Sequence, residues 1–253
     1  IIMQNDIIFW LVATFAAIFV GLGKGGLPVV AALAVPSLSL FMSPIAAAGL
    51  LLPVYVVSDI FALIFYRKNF EYNVLKIGIF GMTIGVLIGW ATAHIVIEWI
   101  VTLLIGLMGT LYALKLIFSK FINEKEERSL SRSKGIFWCT IAGFTSFISH
   151  NGGPPWQIFI LPMRLSKSVY VGTSVIAFSY VNAIKLPPYF FLGQINLDTL
   201  QIAFYLIFPA ALAVYFGYQL VRLISDKLFF IIVSWALLMI SLKLIWDGLN
   251  SAF

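Results

Sequence analysis

Polar residues stand beside paired glycines at two places in an otherwise apolar sequence. The first is GLGKGGLP, residues 21–28, which contains Lys24, and the second is SHNGGPPWQ, residues 149–157, which contains His150. Free backbone amides at a helix start and a nearby lysine bind small anions, and histidine can donate a hydrogen bond or accept a proton. Both stretches are therefore candidate sites for a small anion.

The candidate substrate-binding residues border the two glycine pairs. They are Lys24, Gly25, Gly26, His150, Asn151, Gly152, Gly153, Trp156 and Gln157. The glycine pairs let the chain turn without a Cβ clash, and prolines suit the first turn of a following helix. The prolines in question are Pro28, Pro154 and Pro155. Polar groups elsewhere in the apolar segments are candidates for gating or coupling: Asp59, Asn182 and Lys185.

The charged candidates also have structural interpretations. Lys24 in hydrocarbon costs a few kcal/mol, which a bound anion or Asp59 could offset, or it could extend to the membrane surface. Asp59 could pair with Lys24 or with Lys185, or reach toward the interface. Lys185 precedes a Pro-Pro pair that should disturb its helix. His150 could serve only to hold its turn.

The composition is that of an integral membrane protein made of helices. Of the 253 residues, 62% are hydrophobic and 10% are charged, whereas a soluble domain has roughly a quarter of its residues charged. Continuous apolar runs argue against a membrane β-barrel, which needs alternating strands of about ten residues. The net charge of +6 comes from basic residues that lie between the apolar segments, so it does not indicate nucleic-acid binding. The single cysteine, Cys139, permits no internal disulfide.

A match between the two glycine-rich stretches predicts an internal duplication. Residues 21–36 align with residues 147–162 over the glycine pair and the proline that follows it. The predicted membrane repeats are residues 1–121 and 136–253. A hydrophilic, basic linker, residues 122–135, joins them.

Each half contains three apolar segments that are long enough to span a membrane and two that are too short, since a span needs about 20 residues. The short segments are 7–22 with 28–41, and 136–149 with 154–163. Each short pair could be one broken helix or a re-entrant hairpin. Hairpins place every basic loop on one side, which is the positive-inside pattern, and are favoured for that reason. Two hairpins of short tilted helices that cross the membrane fully would also place every basic loop on one side.

Three crossings in each half make the two halves inverted, with both chain termini outside and the linker cytoplasmic. The sequence therefore predicts an all-α integral membrane protein with two inverted-topology repeats. Each repeat is a short glycine-tipped helical hairpin plus three transmembrane helices, an architecture that recurs in transporters. Each tip should present a helix N-terminus near the bilayer midplane, where its amides and partial positive charge favour an anion.

The two glycine-rich tips resemble those of the TauE/SafE family of sulfite exporters. The resemblance rests on GLGKGGLP, on GFTSFISHNGGPPWQIFILP, on VGTS (171–174) and on KLPPYFFLGQINL (185–197), and it covers nearly the whole chain. It implies movement of sulfite, sulfonates or other sulfur anions across a bacterial cytoplasmic membrane. The site residues that it implies are Gly23, Gly25, Gly26, Pro28, Gly152, Gly153 and Pro155, with Gly172 and the candidate gating residues Thr173 and Ser174 as neighbours. Lys24 stands where the family often has glycine.

The predicted function is transport of a small anion, foremost sulfite, an organosulfonate or another sulfur oxyanion, by alternating access around a site built from the two tips. The alternatives are an anion channel, or a transporter of a small carboxylate or an amino acid. An enzyme is disfavoured because the two histidines, His94 and His150, stand in no metal or nucleophile motif. No catalytic residue, metal or cofactor is predicted. The expected partners are the anion and the bilayer, while a coupling proton or ion and a homodimer are left open.

Overall fold

The computed structural model describes residues 7–118 and 131–251, which form helices and connecting turns with no strand among them. The predicted outside position of the chain termini and most of the predicted linker concern residues outside these ranges. The helices are α1 (Ile7–Lys24), α2 (Pro28–Ala31), α3 (Ala34–Leu38), α4 (Pro44–Tyr66), α5 (Tyr72–Ala91), α6 (Glu98–Phe118), α7 (Arg132–Ser149), α8 (Gly153–Ile160), α9 (Lys167–Phe191), α10 (Leu197–Leu223) and α11 (Asp226–Asn250). A short 3₁₀ turn, Leu161–Met163, follows α8.

Helix α1 is longer than the apolar segment 7–22 from which it was predicted. The backbone stays helical through Gly23 and Lys24, which the sequence assigned to the turn, and the helix reaches 18 residues. Seven helices among the described residues are long and apolar enough to cross a membrane: α1, α4, α5, α6, α9, α10 and α11. The protein is therefore a multi-pass helical membrane protein, and α1 is a candidate span in addition to the six predicted.

The segment predicted at 28–41 forms two short helices. Helix α2 has four residues and α3 has five. Pro36 has no amide N–H, and in a continuous helix its ring would clash with the carbonyl of Ala32, so the first helix ends before it. The hydroxyl of Tyr55 donates to the carbonyl oxygen of Ala31 at the end of α2, over 3.2 Å. A one-turn helix has little of the dipole of a long one, so this tip needs another source of positive charge.

The chain folds into two compact units. The first unit consists of Ile1–Lys68 and Ser174–Ile224, and the second of Asn69–Thr173 and Ser225–Phe253. Each unit draws on both predicted sequence repeats, and α9 passes from the second unit into the first. The repeat boundaries concern sequence similarity and stay a prediction.

Corresponding helices recur in the same order in the two halves of the chain. Helices α1 and α7 begin 125 positions apart, at residues 7 and 132, and so do α5 and α10, at residues 72 and 197. In the first unit α1 packs along α10, and in the second unit α7 packs along α5. Since α1 corresponds to α7 and α10 corresponds to α5, each unit pairs a helix from one half of the chain with a helix from the other half. This matched pairing supports a duplication.

Glycines allow α1 and α10 to approach closely in the first unit. A Cβ on Gly25 would lie 2.5 Å from the carbonyl oxygen of Val214 and 2.7 Å from the Cα of Gly217. A Cβ on Gly21 would overlap the carbonyl oxygen of Ala210. Small residues commonly line such contacts between membrane helices, where packing rather than hydrophobic burial drives association.

We expect Gly25→Ala to lower the free energy of unfolding in detergent by about 1–3 kcal/mol, because its methyl group has no room between α1 and α10. The matched control is Gly153→Ala at the other glycine pair, where an added Cβ meets no atom within 4 Å. The control should keep a melting temperature near that of the wild type. Thermal unfolding followed by tryptophan fluorescence measures both, and an equal loss for the two variants would contradict the packing of Gly25.

Candidate functional site

Three charged side chains are buried among the described residues, and all three belong to the first unit. Lys24 ends α1, Asp59 lies in α4 and Lys185 lies in α9, with exposed fractions of 8%, 3% and 0%. Each lies within a helix that is long and apolar enough to span a membrane. A buried charge is costly unless it is paired, so these residues form one electrostatic system. Together with Asn182 they are called the ionic cluster below.

The carboxylate of Asp59 is at the centre of the ionic cluster. The Nζ of Lys24 lies 2.6 Å from its Oδ1, and the Nδ2 of Asn182 donates to its Oδ2 over 2.8 Å. Oδ1 is therefore ion-paired, although it accepts no hydrogen bond from a described residue, and Oδ2 accepts one from Asn182. Of the three arrangements that the sequence left open for Asp59, the pair with Lys24 is confirmed.

Asp59 and Asn182 occupy corresponding places in the two halves of the chain. Each is the sixteenth residue of its helix, counted from Pro44 in α4 and from Lys167 in α9. Equivalent residues that contact one another are expected where a duplicated structure meets its own copy. An amide opposite a carboxylate forms a hydrogen bond there, whereas two carboxylates would repel each other.

Lys185 is the second basic side chain of the ionic cluster. It interacts electrostatically with both Lys24 and Asp59, and its Nζ lies 5.9 Å from the ring centroid of Tyr189. The Nζ of Lys24 lies 5.3 Å from the ring centroid of Tyr55. Each ammonium group is thus within reach of the negative face of an aromatic ring, which partly offsets the loss of water.

The Pro187-Pro188 pair does not end α9, which continues to Phe191. Each proline removes one amide N–H, so the carbonyls of Ala183 and Ile184 lose the donors that a regular helix would provide. These carbonyls lie directly before Lys185 in the sequence. The proline pair therefore places additional negative dipoles in the part of the helix that carries the buried ammonium group.

The turn after α1 is a Schellman motif around Gly26. This residue has a φ of 114°, a conformation that favours glycine. The amide of Leu27 donates to the carbonyl of Leu22 over 3.1 Å, and the amide of Gly26 donates to the carbonyl of Gly23 over 3.2 Å. The amide of Gly25 donates to the carbonyl of Gly21 over 2.8 Å. The two glycine amides are engaged in the turn itself, so the donors available at this tip are side chains.

One face of α4 holds the first tip in place. Tyr55, Asp59 and Tyr66 are spaced by four and seven residues, so they share a helix face, and all three are buried. Tyr55 contacts the end of α2, Asp59 pairs with Lys24, and the hydroxyl of Tyr66 donates to the carbonyl of Gly25 over 2.8 Å. The tyrosines were not predicted from the sequence, although their spacing around Asp59 was a visible signal.

The second tip, which lies in the second unit, turns differently. The residue with positive φ is His150, at 55°, whereas the sequence assigned the turn to Gly152 and Gly153. Gly152 has an ordinary φ of −71°, and Gly153 begins α8 with Pro154 in its first turn. The amide of His150 donates to the carbonyl of Ser146 over 3.2 Å, which closes the end of α7. Histidine tolerates this left-handed conformation better than most residues that have a Cβ.

The other predicted residues of the second tip are neutral, and several are buried. The Nδ2 of Asn151 donates to the Oγ of Ser149 over 3.0 Å. The indole of Trp156 packs edge to face against Phe159, with ring centroids 5.8 Å apart. The Oε1 of Gln157 is buried and accepts no hydrogen bond from a described residue. The second tip thus offers polar groups but no buried charge, and Pro155 is buried beside them.

The predicted gating residue Thr173 makes structural hydrogen bonds. Its hydroxyl donates to the carbonyl of Val169 over 2.7 Å and accepts from the amide of Glu71 over 2.9 Å. It thereby connects the start of α5 to α9. Ser174 is the first residue of α9 in the first unit. Among the described residues, no group of three or more histidine, cysteine or acidic side chains is placed to hold a metal ion.

Apolar helices that bury an ionic cluster within their spans are typical of membrane transport proteins. A family model described as sulfite exporter TauE/SafE matches residues 7–244, which is nearly the whole chain. The chain therefore belongs to the TauE/SafE family of sulfite exporters, and the resemblance of its glycine-rich stretches is confirmed. No curated protein and no solved structure matches the chain significantly.

We expect Lys24→Met and Asp59→Leu each to lower the free energy of unfolding by about 3–5 kcal/mol, because each removes one partner of a buried ion pair. The double variant should lose much less than the sum of the two, since it removes both charges. Reversible unfolding in mixed micelles measures all four proteins of this double-mutant cycle.

The control for this cycle is the pair formed by Lys167 and Asp226. Its charged atoms are 3.6 Å apart, and the Asp226 side chain is 63% exposed. Water screens such a pair, so its coupling energy should be about 0–1 kcal/mol. A coupling energy for Lys24 and Asp59 no larger than that of the exposed pair would contradict the role assigned to the buried one.

Proposed function

We propose that the protein transports a small sulfur oxyanion, sulfite or a sulfonate, and that the ionic cluster is its binding site. Membership of the sulfite exporter family supports the substrate class. The observation that carries the site is the burial of two lysines with a single carboxylate in helices that could span a membrane. An excess positive charge in such surroundings is stabilised by a bound anion.

The cluster has the donors that an oxyanion requires. The ammonium groups of Lys24 and Lys185 supply charge and hydrogen bonds, and charge-assisted bonds to oxyanions are stronger than neutral ones. The carboxylate of Asp59 holds Lys24 in place. Tyr55 and Tyr189 lie over the two ammonium groups and limit the access of water to them.

The occupied oxygens of Asp59 favour an anion over an amino acid as the substrate. An amino acid would need a carboxylate for its ammonium group. Asp59 is the only buried carboxylate among the described residues, and Lys24 and Asn182 engage both of its oxygens.

We further propose that the two repeats are inverted and that transport occurs by alternating access. The exchanged pairing of α1 with α10 and of α7 with α5 supports the duplication, and the positive-inside pattern supports the inversion. The second tip, with His150, Asn151 and Gln157, is a proposed contributor to the pathway through its polar groups. The same charge pattern supports a cytoplasmic position for the linker, and membership of the family supports a location in a bacterial inner membrane.

We expect Lys185→Met to reduce sulfite flux into proteoliposomes by about tenfold or more, because a charge-assisted hydrogen bond contributes about 1.5–3 kcal/mol. This variant tests function without leaving a carboxylate unpaired, since Asp59 keeps both of its partners. The matched control is Lys243→Met in α11, a lysine of the second unit that pairs with Asp247 outside the ionic cluster.

Flux should be measured after equal reconstitution of both variants, with acetate as a non-sulfur anion. Unchanged sulfite flux in Lys185→Met would remove the ionic cluster as the site. A carrier is identified if unlabelled sulfite on the opposite side of the membrane stimulates the uptake of labelled sulfite. A channel is identified if this stimulation is absent and single-channel currents are recorded.

A further inference from the structure

We infer that Asp59 sets the charge of the anion that the ionic cluster accepts, so that singly charged sulfur oxyanions are selected over doubly charged ones. The inference rests on the proposed function, because it concerns the same binding site. The substrate class that follows includes hydrogensulfite and alkylsulfonates with one charge, and it excludes sulfate and the sulfite dianion.

The inference comes from the number of charges in the cluster. A bound anion favours the charged forms of the lysines beside it, so in the occupied cluster Lys24 and Lys185 contribute two positive charges and Asp59 one negative charge. No other charged side chain is buried among the described residues. The excess is one positive charge. A monoanion brings the total to zero, whereas a dianion leaves one negative charge in surroundings of low polarity, where an uncompensated charge is costly.

Asp59 is a lasting member of the cluster rather than a temporary substitute for the substrate. Its Oδ2 accepts from the Nδ2 of Asn182, a bond between α4 and α9 that an incoming anion does not need to break. Tyr55 and Tyr66 fix the same face of α4 by hydrogen bonds on either side of Asp59. The carboxylate therefore remains beside the bound anion and repels a second negative charge.

The contact between Asp59 and Asn182 allows the charge of the cluster to be raised or lowered by a single substitution. Asp59→Asn raises the excess charge from one to two, and Asn182→Asp lowers it to zero, with nearly the same side-chain shape in both cases. The two substitutions thus give a series of charges at one place in the fold. The selectivity of the site should follow this series.

The experiment compares uptake of radiolabelled methanesulfonate and radiolabelled sulfate into proteoliposomes, because these anions keep one and two charges respectively across the usable pH range. The wild type should prefer methanesulfonate. Asp59→Asn should shift the ratio toward sulfate by about tenfold or more, since a like charge next to the ligand costs several kcal/mol. Asn182→Asp should weaken uptake of both anions. The control Asp226→Asn changes the total charge equally at the exposed pair and should leave the ratio unchanged.

The outcomes separate the inference from the proposed function. If the wild type transports neither these anions nor sulfite, the proposed function fails. If it transports sulfur oxyanions but Asp59→Asn keeps the wild-type ratio, the inference alone is wrong. If Asp59→Asn does not fold, the double variant Lys24→Met/Asp59→Asn replaces it in the test. This variant removes both charges of the ion pair and retains one excess positive charge on Lys185. Its flux should fall but its ratio should stay near that of the wild type, and a shift toward sulfate would overturn the inference.

Discussion

The ion pair between Lys24 and Asp59 determines how the first unit is assembled. Inside apolar helices neither charge can be left alone, since breaking a buried pair costs about 3–5 kcal/mol. The end of α1 is therefore tied to one position along α4. The tyrosines on the same face of α4 then reach the carbonyls on either side of that position, at Ala31 and Gly25. The ion pair and the two hydrogen bonds together fix the register of the tip against α4.

Another face of α1 is shaped by a steric constraint. Gly21 and Gly25 lie against the backbone of α10, where a single added carbon atom would overlap it. Lys24 stands next to Gly25 in the sequence, so the glycine contact with α10 and the ion pair with α4 position the same helical turn from two sides. The spacing of the glycines and the position of the lysine are consequently parts of one arrangement, in which packing holds the ammonium group in place for chemistry.

Much of this architecture could be predicted from the sequence, but some local geometry could not. Apolar runs and low charge indicated a multi-pass helical protein, and the glycine pairs indicated the two turns. The sequence left three possible surroundings for Asp59, namely Lys24, Lys185 or the membrane interface. The order of helices along the chain does not tell which helix faces contact each other. The length of α1 was underestimated because Lys24 was treated as a turn residue, although a lysine with a buried partner can end a helix within an apolar layer. The left-handed conformation of His150 was missed because the adjacent glycines adopt such a conformation more readily.

Corresponding helices in the two halves of the chain carry different chemistry. Helices α1 and α7 both have 18 residues, and their last residues are Lys24 and Ser149, so the helix ends with a charged side chain in one half and with a hydroxyl in the other. The contact between Asp59 and Asn182 shows the same division, with a carboxylate facing its amide counterpart. If both halves carried a carboxylate at this position, like charges would meet and repel each other. The two halves thus place helices at corresponding positions, and the residues that differ between them set the charge of the cluster.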